Sequence, residues 1–338
     1  MKIAVFAPNQ YGGTGLYRQY LPHEMMAKWG HKVLFTDSLE VDTYDDYDIF
    51  MASKSWFVHA NELVRKLKKL GKITIIDFDD YWVLPPGHLL YHDYRKNNTV
   101  KLLTDGLKLY DYVSCTTPML RDAIRRLNPN VEIFENAIDP KNPQFKVSDE
   151  KTPGVDFGWI GGHCHENDLM LLSSTPRRLT GDFSISLFGY ESESGVYDRF
   201  ANILSGDKYL VPDKFFVYQK ADARRYTQFY NMIDVALAPL VSDTFNSMKS
   251  ELKMVEAGFM KRAIVVSDCY PYRYIINDKN CLTTSHKQHW AKKMQKIINN
   301  PSMVDDLAGE LHLSVKDKYD LEKVTRRREQ WYETLRPL

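Results

Sequence analysis

Short apolar runs alternate with helical stretches along nearly the whole chain, and one polar break interrupts them. In the first half the runs are Ile3–Ala7, Lys32–Phe35, Tyr47–Ala52, Lys72–Phe78, Tyr112–Thr116 and Val131–Phe134. Helical patterns near 16–29, 59–70, 99–110 and 118–127 lie between them. Strands that are apolar throughout, rather than alternating, belong to parallel sheets covered on both faces. The break runs from Asn136 to Phe145, rich in Asn and Pro, and on through polar residues to Pro153-Gly154. That is the composition of a linker. The alternation then resumes with Val155–Ile160, Phe183–Phe188, Lys214–Tyr218, Val235–Pro239 and Ala263–Ser267. Helices are expected from about 166, around 195–204, and at 222–232, 248–260, 286–299 and 301–316. The expected fold is α/β, with two Rossmann-like doubly wound domains of similar size facing across a cleft. Open α/β sheets bind ligands at the carboxyl ends of their strands, so two facing sheets would share one deep site.

Length and charge narrow the function. At 338 residues the chain has room for about two domains. Its 45 basic and 44 acidic residues leave a net charge of +1, which excludes a globally polybasic nucleic-acid binder. The basic stretches Arg65–Lys69, Arg121–Arg126 and Arg326–Arg328 could contact phosphates as local patches, or be solvated helix faces, the commoner role of such runs. No apolar run approaches a membrane span, and the apolar start after Lys2 is too short for a signal peptide. Cys115, Cys164, Cys269 and Cys281 show no paired spacing. Reduced thiols and a cytoplasmic location are the expectation, the host cytoplasm if the chain is phage-encoded. The segment from Tyr319 to Leu335 places Leu321, Val324, Trp331 and Leu335 near one face, so it must dock on something already folded.

Four segments could carry chemistry. The first strand runs into Gly12-Gly13-Thr14-Gly15, a turn that lets backbone approach a ligand at a helix start. A dinucleotide fingerprint needs a further glycine, and Arg18 stands there instead. Asp37 ends the second strand where a ribose-binding acid would sit, so an NAD-binding oxidoreductase is a second reading. Asp77-Phe78-Asp79-Asp80 ends the fourth strand. Carboxylates there must be solvated, paired or metal-bound, or else cap a turn. Tyr81, Trp82 and His88 follow, suited to stacking on a sugar acceptor or to plain packing. Gly161-Gly162-His163-Cys164-His165 repeats the strand–glycine–helix design in the second half. It suits a diphosphate at a helix start better than a zinc site.

The sharpest segment is Phe245 to Gly258. Read as one helix, it places Met248, Leu252, Val255 and Phe259 on a core stripe, and Lys249, Lys253 and Glu256 on one polar line. Such a line can grip an anion and then a hydroxyl-bearing ring. The alternative is a solvated face with a Lys253–Glu256 pair.

At these residues the sequence resembles glycosyltransferase family four, of GT-B fold. The run from Phe245 to Tyr272 looks like that family's donor-binding segment. Gly158-Trp159-Ile160-Gly161-Gly162 with His165 and Asp168-Leu169 is similar to its glycine turn. Asp111–Thr117 through Asn136–Asp139 looks like the end of its first domain. The resemblance implies an acceptor-side domain over 1–145, a nucleotide-sugar domain over 146–318, and a helix in 319–338 crossing back to the N-terminal domain. It implies retaining transfer of a hexose or pentose from a nucleotide sugar, UDP- or GDP-linked, without an essential metal or other cofactor. Lys253 would bind the diphosphate with Lys249 assisting, and Glu256 would bind the ribose. Gly12 and Gly13 would lie under the pyrophosphate or the reacting sugar, Gly161 and Gly162 beside the donor. His165 would contact phosphate, and Asp79 or Asp80 would stand near the reacting sugar. Many members carry a sugar-binding acid eight residues before Glu256. That position here is Met248, so Asn246 or Ser247 would replace it. The acceptor would be a bacterial or phage glycan or glycolipid, or a hydroxymethylated pyrimidine in DNA. A sugar-binding scaffold without turnover is the remaining alternative.

Overall fold

The computed structural model of the chain describes residues 1–8, 12–54, 57–148, 153–162, 165–173, 175–191 and 214–338. The helix expected around 195–204 lies outside them. The chain divides into two compact units. The first comprises Met1–Ala137, Ser247–Ser250 and Tyr319–Leu338; the second comprises Ile138–Asn246 and Glu251–Lys318.

The first unit is built on six parallel strands, β1 (Lys2–Phe6), β2 (Lys32–Thr36), β3 (Ile49–Ser53), β4 (Ile73–Phe78), β5 (Tyr112–Cys115) and β6 (Val131–Ile133). Their order is β2-β1-β3-β4-β5-β6, so the direction of winding reverses between β1 and β3. Both faces are covered, which is why the strands read as unbroken apolar runs. Ile3 and Val5 of β1 pack with Met51, Ile75 and Tyr332 on one face. Ala4 and Phe6 pack with Phe50, Ile76 and Phe78 on the other.

The helix Leu321–Thr334 belongs to this unit, and Asp320 caps it by accepting from the Lys323 amide at 3.0 Å. Leu321, Val324 and Leu335 are buried as the pattern requires, whereas Trp331 is half-buried and the neighbouring Tyr332 is buried in its place. The basic run on this helix is not one solvated face. Arg326 and Arg327 are exposed, but Arg328 is buried with its guanidinium 4.5 Å from the centre of the Phe134 ring. Helical spacing explains this, because Arg328 falls on the same face as Val324 and Tyr332.

The second unit carries β7 (Val155–Ile160), β8 (Phe183–Tyr190), β9 (Phe215–Gln219), β10 (Val235–Ala238), β11 (Ala263–Ser267) and β12 (Leu282–Thr284). All are parallel in the order β12-β11-β10-β7-β8-β9. The winding reverses between β7 and β10, as in a dinucleotide-binding sheet. Phe157, Trp159, Leu187, Val235 and Val265 form its core with Trp290, Met294 and Ile297 of the helix His289–Asn299. The Asn/Pro-rich stretch read as a linker is partly packed. Phe145 is buried, and the Gln144 carbonyl accepts from the Thr227 hydroxyl at 2.8 Å.

One expected element fails. The helix anticipated over 248–260 is two short helices, Thr244–Ser247 and Leu252–Phe259, with 248–251 non-helical between them. Met248 packs in the core of the first unit, whereas Val255 and Phe259 are buried in the second. The spacing is helical, but its members serve two cores, so the chain cannot stay one helix. Among the described residues no helix is long and apolar enough to cross a membrane.

His23 provides a test of the first core. Its Nδ1 lies 2.6 Å from the Gln19 carbonyl and therefore donates; its Nε2 accepts from the Tyr332 hydroxyl at 3.0 Å. Burial, with the nearby Arg328 charge, pushes the imidazole down to about 3. Unfolded, it would protonate near its ordinary value. Between these values the unfolded state binds more protons, so stability rises with pH and is lost as the pH is lowered, by at most about 1.4 kcal/mol per pH unit from this group. Urea denaturation at pH 7 and pH 4.5 should show a smaller acid loss for His23→Gln than for the wild-type chain.

Candidate functional site

In the second unit the site residues gather where the winding reverses. β7 ends at Ile160 and runs into Gly161 and Gly162. A side chain on Gly161 would stand 2.5 Å from the Trp159 ring, so the turn excludes anything larger; a side chain on Gly162 would meet nothing within 4 Å. Lys253, in the first turn of the helix Leu252–Phe259, donates from Nζ to the Ile160 carbonyl and stands 5.8 Å from the centre of the Trp159 ring. Its ammonium is thereby fixed at the carboxyl end of β7. Three residues on, Glu256 is 3% exposed. The Tyr226 hydroxyl donates to its Oε1, and the Tyr230 hydroxyl donates to its Oε2 at 3.1 Å. The two phenols hold the carboxylate in one orientation.

Asp168 ties the surrounding loops together. Its Oδ1 accepts from the Val241 amide at 2.8 Å, after β10, and from Asn246 Nδ2 at 3.1 Å. Its Oδ2 lies 2.8 Å from His165 Nδ1. His165 and Asn246 are thus set by one buried carboxylate. His163 and Cys164, the remainder of the tempting zinc cluster, lie outside the described residues. Among the described residues no group of three or more histidine, cysteine, aspartate or glutamate side chains could hold a metal.

In the first unit Asp77, near the end of β4, and Asp79 and Asp80, just after it, are all paired with cations. Asp77 is buried and receives Arg18 through two bonds, Nε at 2.9 Å and Nη2 at 2.7 Å, with the Ser114 hydroxyl at 2.5 Å. Arg18 also reaches the Phe134 carbonyl and lies 3.4 Å from Asn136 Oδ1. It sits in a π-helical turn, Gly15–Tyr20, directly after the glycines. Asp79 faces the Lys54 ammonium at 3.1 Å and accepts from the Thr14 hydroxyl at 2.7 Å. Burial alone would raise its carboxyl, but Lys54 and Thr14 outweigh that and hold it well below the ordinary range. Lys54 is in turn raised: burial opposes its charge, and Asp79 and Asp80 more than restore it. Asp80 pairs with Lys249 at 3.6 Å.

Lys249 and Ser247 belong to the first unit and Lys253 and Glu256 to a helix of the second, and residues 248–251 between them are not helical. Trp82 is buried in the first core and donates from Nε1 to Thr104 at 3.1 Å; Tyr81 packs against its ring at 4.9 Å between centres. The His88 Nδ1 accepts from the Leu90 amide at 3.1 Å. Gly13 is exposed, and Gly12 stands half-buried beside it. Sequence reasoning missed Thr14, Arg18 and Lys54. The signal for Arg18 was its position, an arginine where a nucleotide fingerprint has glycine. Lys54 directly follows a buried strand, where a cation must find an acid.

No protein-family model matches the sequence, and no curated protein matches it significantly. Solved structures do. Sucrose-phosphate synthase from Thermosynechococcus elongatus is 13% identical, covers 98% of each chain and has a TM-score of 0.76. HepE from Anabaena, in complex with UDP-glucose, is 12% identical, covering 99% of this chain and 100% of that one, with a TM-score of 0.75. A glycosyltransferase from Rickettsia africae is 11% identical, covering 98% and 97%, with a TM-score of 0.72. At these identities the likeness shows the fold, the pair of Rossmann-like α/β domains called GT-B.

Removing Arg18 tests the carboxylate network. Arg18→Leu leaves Asp77 buried without its cation and should lower stability by about 3–5 kcal/mol in chemical denaturation. Asp77→Asn added to that variant should recover part of the loss. A double variant that loses the sum of the two single effects would contradict the pairing.

Proposed function

We propose that this chain is a glycosyltransferase that moves a sugar from a nucleoside diphosphate donor to an acceptor hydroxyl. The observation that carries this reading is Lys253 with Glu256: an ammonium fixed at the end of β7, and a carboxylate three residues along the same helix, held by two phenols. An anion and a neighbouring diol match that order of charges. The reversal point of an open sheet is where such ligands bind. The solved structures of the same fold include complexes described as containing UDP and UDP-glucose, which supports a uridine nucleotide as donor.

In this reading Lys253 stabilises the negative charge that develops on the leaving diphosphate. Gly161 and Gly162 let the backbone approach it, and His165, oriented by Asp168, contacts a phosphate oxygen. Glu256 accepts from the ribose hydroxyls. Asn246, tied to the same Asp168, faces the donor sugar. Transfer breaks the bond from the anomeric carbon to the diphosphate oxygen and forms one to the acceptor oxygen. The acceptor proton passes to the departing diphosphate, on the same face, so that configuration is retained. The reading assigns charge neutralisation to lysine and calls for no metal.

Nucleotide release from UDP-, GDP- and ADP-sugars tests it. One donor class should be turned over, and Lys253→Ala should lower kcat/KM by a factor on the order of 10²–10³, the loss of one contact to developing charge. Undiminished turnover in that variant would remove Lys253 from the mechanism.

A further inference from the structure

Glu256 is the residue assigned to the ribose, yet its carboxylate already accepts two hydrogen bonds from the chain itself. The Tyr226 hydroxyl donates to Oε1, the Tyr230 hydroxyl donates to Oε2 at 3.1 Å, and the residue is 3% exposed. A carboxylate has lone pairs for more than two donors. At that burial, however, a hydroxyl arriving from outside reaches it only where something gives way.

The two phenols differ in how readily they can do so. Both stand on the helical turn Tyr226–Met232. Tyr230 is 2% exposed, and its own carbonyl accepts from Arg262 Nε at 2.7 Å. Between the two tyrosines Thr227 is fully buried and donates to the Gln144 carbonyl at 2.8 Å, which ties the middle of the turn to the body of the unit. Tyr226 is half-buried and opens the turn, directly after the exposed Arg224 and Arg225. Moving Tyr230 would disrupt packed structure, whereas Tyr226 can leave by rotating its own side chain. A phenol that leaves strands a buried carboxylate short of one bond. A ribose hydroxyl donating in its place removes that cost, and a ligand without the hydroxyl leaves it in force.

We infer that Tyr226 and a ribose hydroxyl compete for the same oxygen of Glu256, which makes Tyr226 a specificity-determining residue. Only a nucleotide carrying its ribose hydroxyls can replace the bond that it breaks. Tyr230 is a positioning residue that holds the carboxylate throughout. The inference rests on the glycosyl-transfer reading, with Glu256 at the ribose, and assigns the selection of ribonucleotides at that site.

The test is isothermal titration of the full chain. UDP, GDP and ADP are first titrated into the wild-type chain and into Tyr226→Phe. The nucleotide that binds is then compared with its 2′,3′-dideoxy form in both chains and in Tyr230→Phe. Competition predicts that Tyr226→Phe binds the ribonucleotide about tenfold more tightly than the wild-type chain, the worth of one hydrogen bond to a charged group. The dideoxy form should gain nothing, so preference for the intact ribose grows by the same factor. Tyr230→Phe should instead lose preference. A purely structural role for either phenol would shift both nucleotides together. An unchanged or smaller preference in Tyr226→Phe would overturn the inference, and a preference that grows equally in Tyr230→Phe would overturn the division of roles. Failure of the transfer reading looks different: none of the three nucleotides binds to the wild-type chain or to Tyr226→Phe, and the inference falls with it.

Discussion

A carboxylate at the end of a buried parallel strand has to find a cation, and in the first unit three of them do so in a row. Asp77 cannot be solvated, so it draws Arg18 into the core with two bonds. That single pair sets much of what surrounds it. It fixes the turn after Gly12–Gly15, because Arg18 lies one helical turn beyond the glycines. It orders the chain after β6 through the Phe134 carbonyl and Asn136, which in turn donates to Ser250 at 2.8 Å. Asp79 and Asp80 then fall at the strand end, paired with Lys54 and Lys249. Such pairs are weak evidence for stability as such. Their effect here is positional, since Asp77 and Asp79 are each held from more than one direction.

The second unit solves the same problem with fewer charges. Asp168 gathers His165, the Val241 amide and Asn246, so the loops after β7 and β10 are held to each other. Lys253 donates to a backbone carbonyl at the end of β7, which fixes its ammonium where a sheet of this winding binds its ligands.

Much of the fold was legible because burial on both faces leaves strands apolar throughout; Val155–Ile160 and Ala263–Ser267 appear in the structure with the bounds read from sequence. What was not legible has specific causes. The helix Tyr91–Lys96 buries no residue, so it carries no periodic signal. Strand β12 has three residues, too few for a pattern. The stripe from Met248 to Phe259 has correct helical spacing, but spacing cannot reveal that Met248 serves a different core from Val255. Arg328 reads as one of three surface arginines until the docked face of its helix is known. For the site, Lys253, Glu256 and Asp168 stood in recognisable segments. Thr14 and Lys54 did not, because their partner Asp79 lies 65 and 25 positions away, and such contacts exist only once the sheet has formed.

The central claim is that the second unit binds a nucleoside diphosphate through Lys253 and Glu256. Isothermal titration with UDP, GDP and NAD tests it most directly, on the wild-type chain and on Glu256→Gln. The account predicts binding of one nucleoside diphosphate, weakened in the variant together with a loss of discrimination against the corresponding 2′-deoxynucleotide, since the carboxylate reads the ribose. Binding of NAD in preference to every diphosphate, or a Glu256→Gln chain that still distinguishes ribose from deoxyribose as the wild-type chain does, would contradict it.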